Sequence, residues 1–265
     1  MDFRRIEMIF LIVFVGLNIF LGMSFFQSQQ VDLATSSGGT TEIIADIRRD
    51  QIKLPKLSTK TPTGGYLAST SSGELASEVR KLDHQYPRFT ATDYTVMTST
   101  LDTTVTVKRA TAVETLTKWL TSEKNVLHGS EYVYAAGLSG TNSYVFVQKV
   151  GGRLIYDPRA QITFTVANGR LTSYTQTYLA QVDVLRADVT LCSAQDAVVT
   201  LYRENELPNN ATVRWTQLAY TYLLDAKGAT VYIPAWFVGV ESQGSKNVTI
   251  KKVNAINKTV LKTRD

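Results

Sequence analysis

Residues 161–179 read "QITFTVANGRLTSYTQTYL", and they carry a strong signal for a β-hairpin. Apolar and polar side chains alternate along its first half, which is the two-residue period of a β-strand with one buried face. Asn168 and Gly169 follow, a pair that readily adopts the positive φ angles of a tight hairpin turn. The alternation resumes after the turn, so the stretch predicts two antiparallel strands joined by a hairpin.

Three segments closer to the C-terminus have the same two-residue period. A turn is predicted near Gly228, between the first two of them. Pro234 lies inside the second segment and cannot donate a hydrogen bond to a neighbouring strand, which predicts an edge strand or a bulge there. The segments are "VRWTQLAYTYLL" (213–224), "TVYIPAWFVGV" (230–240) and "NVTIKKVNA" (247–255).

Four other segments repeat their apolar residues every three to four positions, as amphipathic helices do. In one, Thr111 and Glu114 have the spacing of a capping box, in which each side chain accepts a hydrogen bond from a backbone N–H near the helix start. In another, Ser193 is the expected N-cap, Asp196 complements the positive helix end, and Leu201 lies on the apolar stripe. The four segments are 40–50, 71–82, 111–120 and 193–208.

An uncharged apolar run of nineteen residues extends from Met8 to Phe26. At ~1.5 Å per residue it would form about 28 Å of helix, the thickness of a bilayer core. It is longer than the apolar region of a typical signal peptide and ends in bulky aromatic residues, so we expect an uncleaved anchor. A cleaved signal peptide and a buried core helix are the alternatives. Arg4 and Arg5 precede the run and should stay cytoplasmic.

These features predict a single-pass protein of the cell membrane with a cytoplasmic N-terminus and most of the chain outside the cell. Antiparallel sheets covered by a few helices give an α+β fold class. A weak repeat, a helix followed by about four strands, recurs after roughly eighty residues and indicates two related tandem units. The expected division is a cytoplasmic segment 1–7, an anchor 8–26, a flexible tether 27–39, a membrane-proximal α+β unit 40–183 and a C-terminal α+β unit 184–265.

The predicted membrane helix carries one polar residue near its middle, Asn18. Val15 and Gly22 lie one turn before and one turn after it, on the same face. Small residues let membrane helices approach closely, and a buried amide prefers a hydrogen-bonding partner to lipid. Val15, Asn18 and Gly22 are therefore our candidate seam for a partner helix, unless the long apolar run tolerates a single asparagine without one.

The sequence contains little that indicates catalysis. Its two histidines, His84 and His128, are far apart and are expected in surface loops, and no zinc-protease, serine-hydrolase or phosphate-loop motif occurs. The single cysteine, Cys192, is expected to be a small buried apolar residue. We therefore predict no enzyme, no catalytic residue, no metal ligand and no cofactor. The net charge of +5 is spread along the chain, and nucleic acid is not an expected partner outside the cell.

Several segments together resemble the YycI family, also called WalI, which is the sister family of YycH. The likeness covers the N-terminal "IFLIVFVGLNIFLG", the hairpin region, "AQDAVVTLYRENELPNNATVRWTQLAYTYLL", "YIPAWFVGV" and "KKVNAINKT". Lys258 stands where the family usually has a glycine in the last of these. The resemblance implies a non-catalytic, membrane-anchored accessory protein that acts with YycH on WalK, the sensor histidine kinase that governs cell-wall metabolism through WalR.

Two other functions are compatible with the same residues. One is an exported binding protein of the protease-inhibitor or chaperone type, since small helix-plus-sheet units serve in both. The other is a cell-wall enzyme whose site forms only in three dimensions. A cleft with two carboxylates of raised pKa would favour the enzyme, and an exposed apolar surface without them would favour binding.

Overall fold

The computed structural model describes residues 3–70, 73–90, 94–185, 188–226, 228–245 and 247–262. Within the first helix, the side chains of residues 3–6, 9, 12 and 22–38 also lie outside the description. The chain divides into two compact units, residues 1–52 and residues 53–265. The helices are α1 (Phe3–Arg49), α2 (Glu74–Glu78), α3 (Ala112–Leu120) and α4 (Ala194–Arg203).

The first unit is dominated by α1, which is continuous from the apolar run into the segment 40–50. Residues 27–39, predicted as a flexible tether, have a helical backbone here. They contain no proline, and their Gln, Leu and Ala residues are good helix formers. Large apolar side chains of α1 are exposed on every side, with Phe10 74% and Phe20 70% accessible. Among the described residues, no helix has both the length and the apolarity to cross a membrane.

The second unit is built from antiparallel strands, as the two-residue periods predict. In chain order the strands are β1 (Thr63–Gly64), β2 (Leu67–Thr70), β3 (Gln85–Phe89), β4 (Val96–Thr106), β5 (Tyr132–Tyr134), β6 (Ser143–Val150), β7 (Arg153–Leu154), β8 (Gln161–Ala167), β9 (Arg170–Thr177), β10 (Val182–Val184), β11 (Val189–Thr190), β12 (Thr212–Ala226), β13 (Ala229–Glu241), β14 (Val248–Asn254) and β15 (Val260–Leu261).

One sheet has seven strands, in the order β3-β4-β9-β8-β6-β5, with β7 paired to β6. The predicted hairpin forms its centre as β8 and β9, and Asn168 and Gly169 turn with φ angles of 52° and 73°. The alternation puts Ile162, Phe164 and Tyr174 into the core on one face, where α3 covers them. The local sequence signal was therefore sufficient to predict this hairpin.

The other large sheet has six strands, in the order β10-β2-β13-β14-β15, with β12 also paired to β13. Its long hairpin, β12 and β13, follows the predicted pair of strands. However, β2 comes from the part of the chain before residue 184, and β10 (Val182–Val184) ends at that residue. Each predicted unit thus supplies strands to this sheet, and a break near residue 184 does not separate the two sheets. A small pair, β1 with β11, completes the strand pairing of the described residues.

Pro234 and Lys258 both depart from what their residue types suggest. Pro234 lies in β13, which is a central strand and has no register shift at this position. On one side, β2 pairs only as far as Tyr232 and β14 begins at Ala235, so Pro234 lies where the neighbouring strand changes. The missing N–H therefore disrupts neither of these two pairings. Lys258 adopts a φ of 60°, so it takes the left-handed conformation that glycine adopts more easily.

The core is layered. The helix α3 covers one face of the seven-stranded sheet. The opposite face packs on the six-stranded sheet through a cluster that includes Val145, Ala235 and Phe237. Trp215 fits here because Gly137 and Gly239 have no side chains: a Cβ on either would come within 2.4 Å of its indole. The helix α4 contacts β12, β13 and β14.

One of the two predicted capping boxes forms in the structure, and the other does not. Ser193 forms a capping box with Asp196, as expected for the N-terminus of α4. Thr111 precedes α3, but its side chain makes no capping hydrogen bond, so the capping box predicted there is wrong.

Cys192 is buried, as predicted, and burial raises the pKa of its thiol to about 11. Its carbonyl accepts a hydrogen bond from the indole N–H of Trp236 at 2.8 Å.

Candidate functional site

The predicted seam residues lie in α1. Val15 is exposed, and Asn18 donates a hydrogen bond from its side-chain Nδ2 to the carbonyl of Phe14 at 2.8 Å. Gly22 belongs to the same helix, but its surroundings lie outside the described residues. The spacing of three and four residues puts the three on one helix face. One amide hydrogen of Asn18 is thus bonded locally, which reduces its need for a partner helix.

A cleft opens in the second unit beside the junction of the two large sheets. Its main part has a volume of ≈ 700 Å³ and lies between the turn 157–159 and the strands β12, β14 and β15. A neighbouring depression of ≈ 500 Å³ shares Asp157, Pro158 and Lys252 with it. Apolar residues of both sheets and of two loops line this depression, namely Val145, Phe237, Val248 and Ile250 from the strands and Leu138 and Tyr156 from the loops. The two parts form one groove with an apolar floor.

Lys252 is the most unusual residue of the cleft. It projects from β14, and its ammonium lies 5.3 Å from the centre of the Phe237 ring. Burial lowers the pKa of Lys252, and the Asp157 carboxylate opposes this shift. Keeping an ammonium charged in a partly buried position costs free energy. Titratable groups whose pKa is shifted by burial are common in binding sites.

Arg159 forms the opposite rim of the cleft. Its guanidinium lies 4.2 Å from the centre of the Tyr222 ring and 3.1 Å from Asp225. The neighbouring Asp157 is buried and accepts a hydrogen bond from the backbone N–H of Arg159. These contacts hold the rim in one conformation. Lys262 also lines the cleft, so three cationic side chains stand around the apolar floor.

This arrangement can bind a chain segment. An apolar groove with a cationic rim suits an extended peptide that presents both apolar and acidic side chains. The carboxylates whose pKa departs from the usual range are all shifted downward: Glu78, Glu114, Asp225 and Glu241. The pair of raised carboxylates expected for a cell-wall enzyme is therefore not found among the described residues.

The two histidines lie in different surroundings. His84 is 75% exposed, as expected for a surface loop, and its ring nitrogen Nδ1 is 3.6 Å from Asp102. His128 is only 19% exposed and lies against three carboxylates, Glu74, Glu78 and Glu131. Two of these come from α2, about fifty residues earlier in the chain. Its prediction as a surface histidine is therefore wrong.

The sequence offers no histidine pair at ligand spacing, which is the usual signal of such a cluster. The available signal was the spacing of Glu74 and Glu78, which puts two carboxylates on one face of a helix. Nothing local connected this helix to His128. Glu74, Glu78 and His128 offer ligand atoms that all lie within 4.8 Å of one another, so they are the described residues best placed to hold a metal ion.

A family model described as "YycI protein" matches residues 30–256, which is well over half of the chain. No curated protein sequence matches this chain.

Three solved structures are among those to which the chain is similar. An uncharacterised protein from Eubacterium rectale ATCC 33656 has 10% sequence identity and a TM-score of 0.46, with 81% of this chain and 92% of that chain covered. YycH from Bacillus subtilis has 12% identity and a TM-score of 0.46, with 81% of this chain and 62% of that chain covered. The C-terminal domain of YpeB from Bacillus megaterium has 12% identity and a TM-score of 0.36, with 87% and 98% covered.

Proposed function

The chain belongs to the YycI family, and on this premise we propose that it is a membrane-anchored, extracytoplasmic regulator of a WalK-type sensor histidine kinase. The observation that carries the proposal is the family match across residues 30–256. In this function the protein controls cell-wall metabolism through contacts with the kinase and with a YycH-type protein. It performs no chemistry of its own.

The proposed anchor is the run from Met8 to Phe26. Its length and lack of charge support this, as do Arg4 and Arg5 before it. The exposed apolar side chains around α1 also support it, because exposing so many in water would cost about 25 cal/mol per Å². The protein should fractionate with membranes and keep its N-terminus. Sequencing that found a mature N-terminus near residue 27 would exclude the anchor.

The proposed contact within the membrane is the seam of Val15, Asn18 and Gly22. The carbonyl oxygen of Asn18 can accept a hydrogen bond from a partner helix while its Nδ2 remains bonded to Phe14. Interhelical hydrogen bonds of this kind contribute roughly 0.6–2 kcal/mol. Gly22 allows the partner helix to approach closely at the next turn.

The test is the double variant Asn18→Leu with Gly22→Leu in the full-length protein. Its matched control is Gly16→Leu with Phe20→Leu, since these positions lie about 160° and 200° around the helix from Asn18. We expect the seam variant to weaken the bacterial two-hybrid signal with the kinase or the YycH-type protein and to change output from a WalR-dependent promoter. The control should behave as wild type. If both variants match wild type at equal protein level, α1 is an anchor without a seam.

We further propose that the cleft binds an acidic, partly apolar segment of the YycH-type partner. The cationic rim and the partly buried Lys252 support this. Replacing Lys252 and Lys262 by Gln should weaken binding of the partner's exported domain. The loss of affinity should be larger at low salt, because the charges are screened less there. The same change at Lys60 and Lys124, which are exposed elsewhere, removes equal charge and should have little effect. Equal losses in both variants would indicate only non-specific attraction.

The binding experiment also separates the rival function. An exported inhibitor or chaperone would bind proteases or unfolded chains and would not require the kinase system. If the purified protein bound neither the kinase nor the YycH-type partner but bound such targets, the regulatory function would be wrong.

A further inference from the structure

Glu74, Glu78 and His128 form a cluster on the second unit, apart from the cleft. The short helix α2 presents Glu74 and Glu78 four residues apart on one face. His128 Nε2 lies 3.2 Å from Glu78 Oε2 and 3.9 Å from Glu74 Oε1. In a tetrahedral zinc site with bonds of about 2.0–2.2 Å, neighbouring ligand atoms lie roughly 3.3–3.6 Å apart. Only small side-chain movements would bring the three atoms to this spacing.

One buried ring nitrogen of His128 lacks a well-formed hydrogen bond among the described residues. This atom, Nε2, lies 3.2 Å from Glu78 Oε2. Leaving a buried polar atom unsatisfied costs free energy. The atom faces two carboxylates, so a bound cation would satisfy all three groups together.

The imidazole is also held in the orientation that a metal ligand requires. Its ring stacks on Tyr178, with centres 4.3 Å apart and planes 11° from parallel. Its other nitrogen, Nδ1, faces Glu131 at 3.6 Å. Glu131 in turn accepts hydrogen bonds from the Tyr178 hydroxyl and from Gln148. A carboxylate behind the imidazole orients the ring and increases its basicity in many metal sites.

We propose that Glu74, Glu78 and His128 bind one divalent transition-metal ion, with zinc as the best fit. One imidazole nitrogen and two carboxylate oxygens are ligands that zinc accepts, and water would complete a tetrahedron. Lys81 lies 3.0 Å from Glu78 Oε2, but its side chain is half-exposed and can move into solvent when the ion binds. The proposal is independent of the kinase-regulating function.

Bound zinc would connect α2 to the loop that carries His128. The helix has only five residues, and its N-cap, Gly73, provides no side-chain hydrogen bond. The metal would therefore hold a weakly fixed segment on the seven-stranded sheet. We expect the protein to fold without zinc and to be stabilised by it.

The experiment uses the full-length protein in mild detergent, stripped with a chelator and then incubated with zinc chloride. Elemental analysis after dialysis should find one zinc per chain. The melting temperature should rise by roughly 5–10 °C at a zinc concentration one hundred times the Kd. Cobalt in place of zinc should give the visible absorption of a tetrahedral site.

The variants separate a metal site from a structural cluster. Glu78→Gln keeps the shape of the side chain and should weaken zinc binding at least about tenfold. His128→Asn should do the same. His84→Asn is the matched control, because both histidines have positive φ angles, which Asn tolerates, and both lie near carboxylates. Full zinc binding by Glu78→Gln and His128→Asn, or no zinc bound by the wild type, would overturn the proposal.

Discussion

The helices α3 and α4 start from similar sequences, a hydroxyl residue followed three positions later by a carboxylate, yet only α4 closes its capping box. Ser193 has an extended backbone, with φ −76° and ψ 165°, so its hydroxyl can accept from the N–H of Asp196 at 3.1 Å. Thr111 instead has φ −118° and ψ 15° and ends a 3₁₀ turn that begins at Arg109. The residue pattern of a capping box gives the expected hydrogen bonds only where the chain enters the helix from an extended conformation.

Tertiary contacts decide how the chain enters each helix. Before α4, the N–H of Cys192 donates to the carbonyl of Ala255 at 2.8 Å, which holds the chain extended up to Ser193. Before α3, the N–H of Thr111 donates to Lys108 in the tight turn. The comparison therefore predicts that the two helices depend equally on core packing and unequally on their caps.

The largest expected loss of stability comes from removing a buried leucine from either helix. Leu116 in α3 and Leu201 in α4 are both fully buried, so replacing either with Ala should lower the free energy of unfolding by ~2–5 kcal/mol. Chemical denaturation of the full-length protein in detergent measures this. Val184→Ala, at an exposed position, is the control and should change stability by less than about 0.5 kcal/mol. A small loss for one leucine alone would show that its helix contributes little to the core.

Substitution of the N-cap residue should cost stability in α4 and almost none in α3. Ser193→Ala removes a hydrogen-bonded N-cap and should cost about 1 kcal/mol, within a range of roughly 0.5–2. Thr111→Ala removes a side chain that makes no capping bond and should be nearly neutral. The same denaturation measurement applies to both. Equal losses would mean that Thr111 caps α3 in solution.

The smallest effect concerns the exposed ion pair of α3, between Glu114 and Lys118 at 2.7 Å. The hydrogen bond from Lys118 lowers the pKa of Glu114 below its unfolded value, so the pair stabilises the fold above that value. The contribution is lost as the pH falls through the folded pKa. Lys118→Met should therefore lower the melting temperature slightly at pH 7 and not at a pH below the folded pKa of Glu114. An equal difference at both pH values would assign the effect to packing of the lysine stem.

Several parts of the fold were predictable because their signals are local. The turn at Asn168 and Gly169, the N-cap at Ser193 and the buried Leu201 depend on residues within one turn or one hairpin. The cluster around His128 was not predictable, because its ligands meet only when α2 packs beside the loop of that histidine. The cleft is similar, since Lys252 and Arg159 come from separate parts of the chain.

Residue order alone was enough to predict the α+β class, the central hairpin, the helix α4 and, through residue pattern, the family. Periodicity and capping are short-range interactions, so they can be read directly from the order of residues. Three features emerged only from the folded structure: β2 and β10 join the six-stranded sheet, Pro234 lies in a central strand, and Thr111 does not cap its helix. These features depend on which distant segments bury each other's apolar faces. Such long-range packing leaves no periodic pattern along the chain.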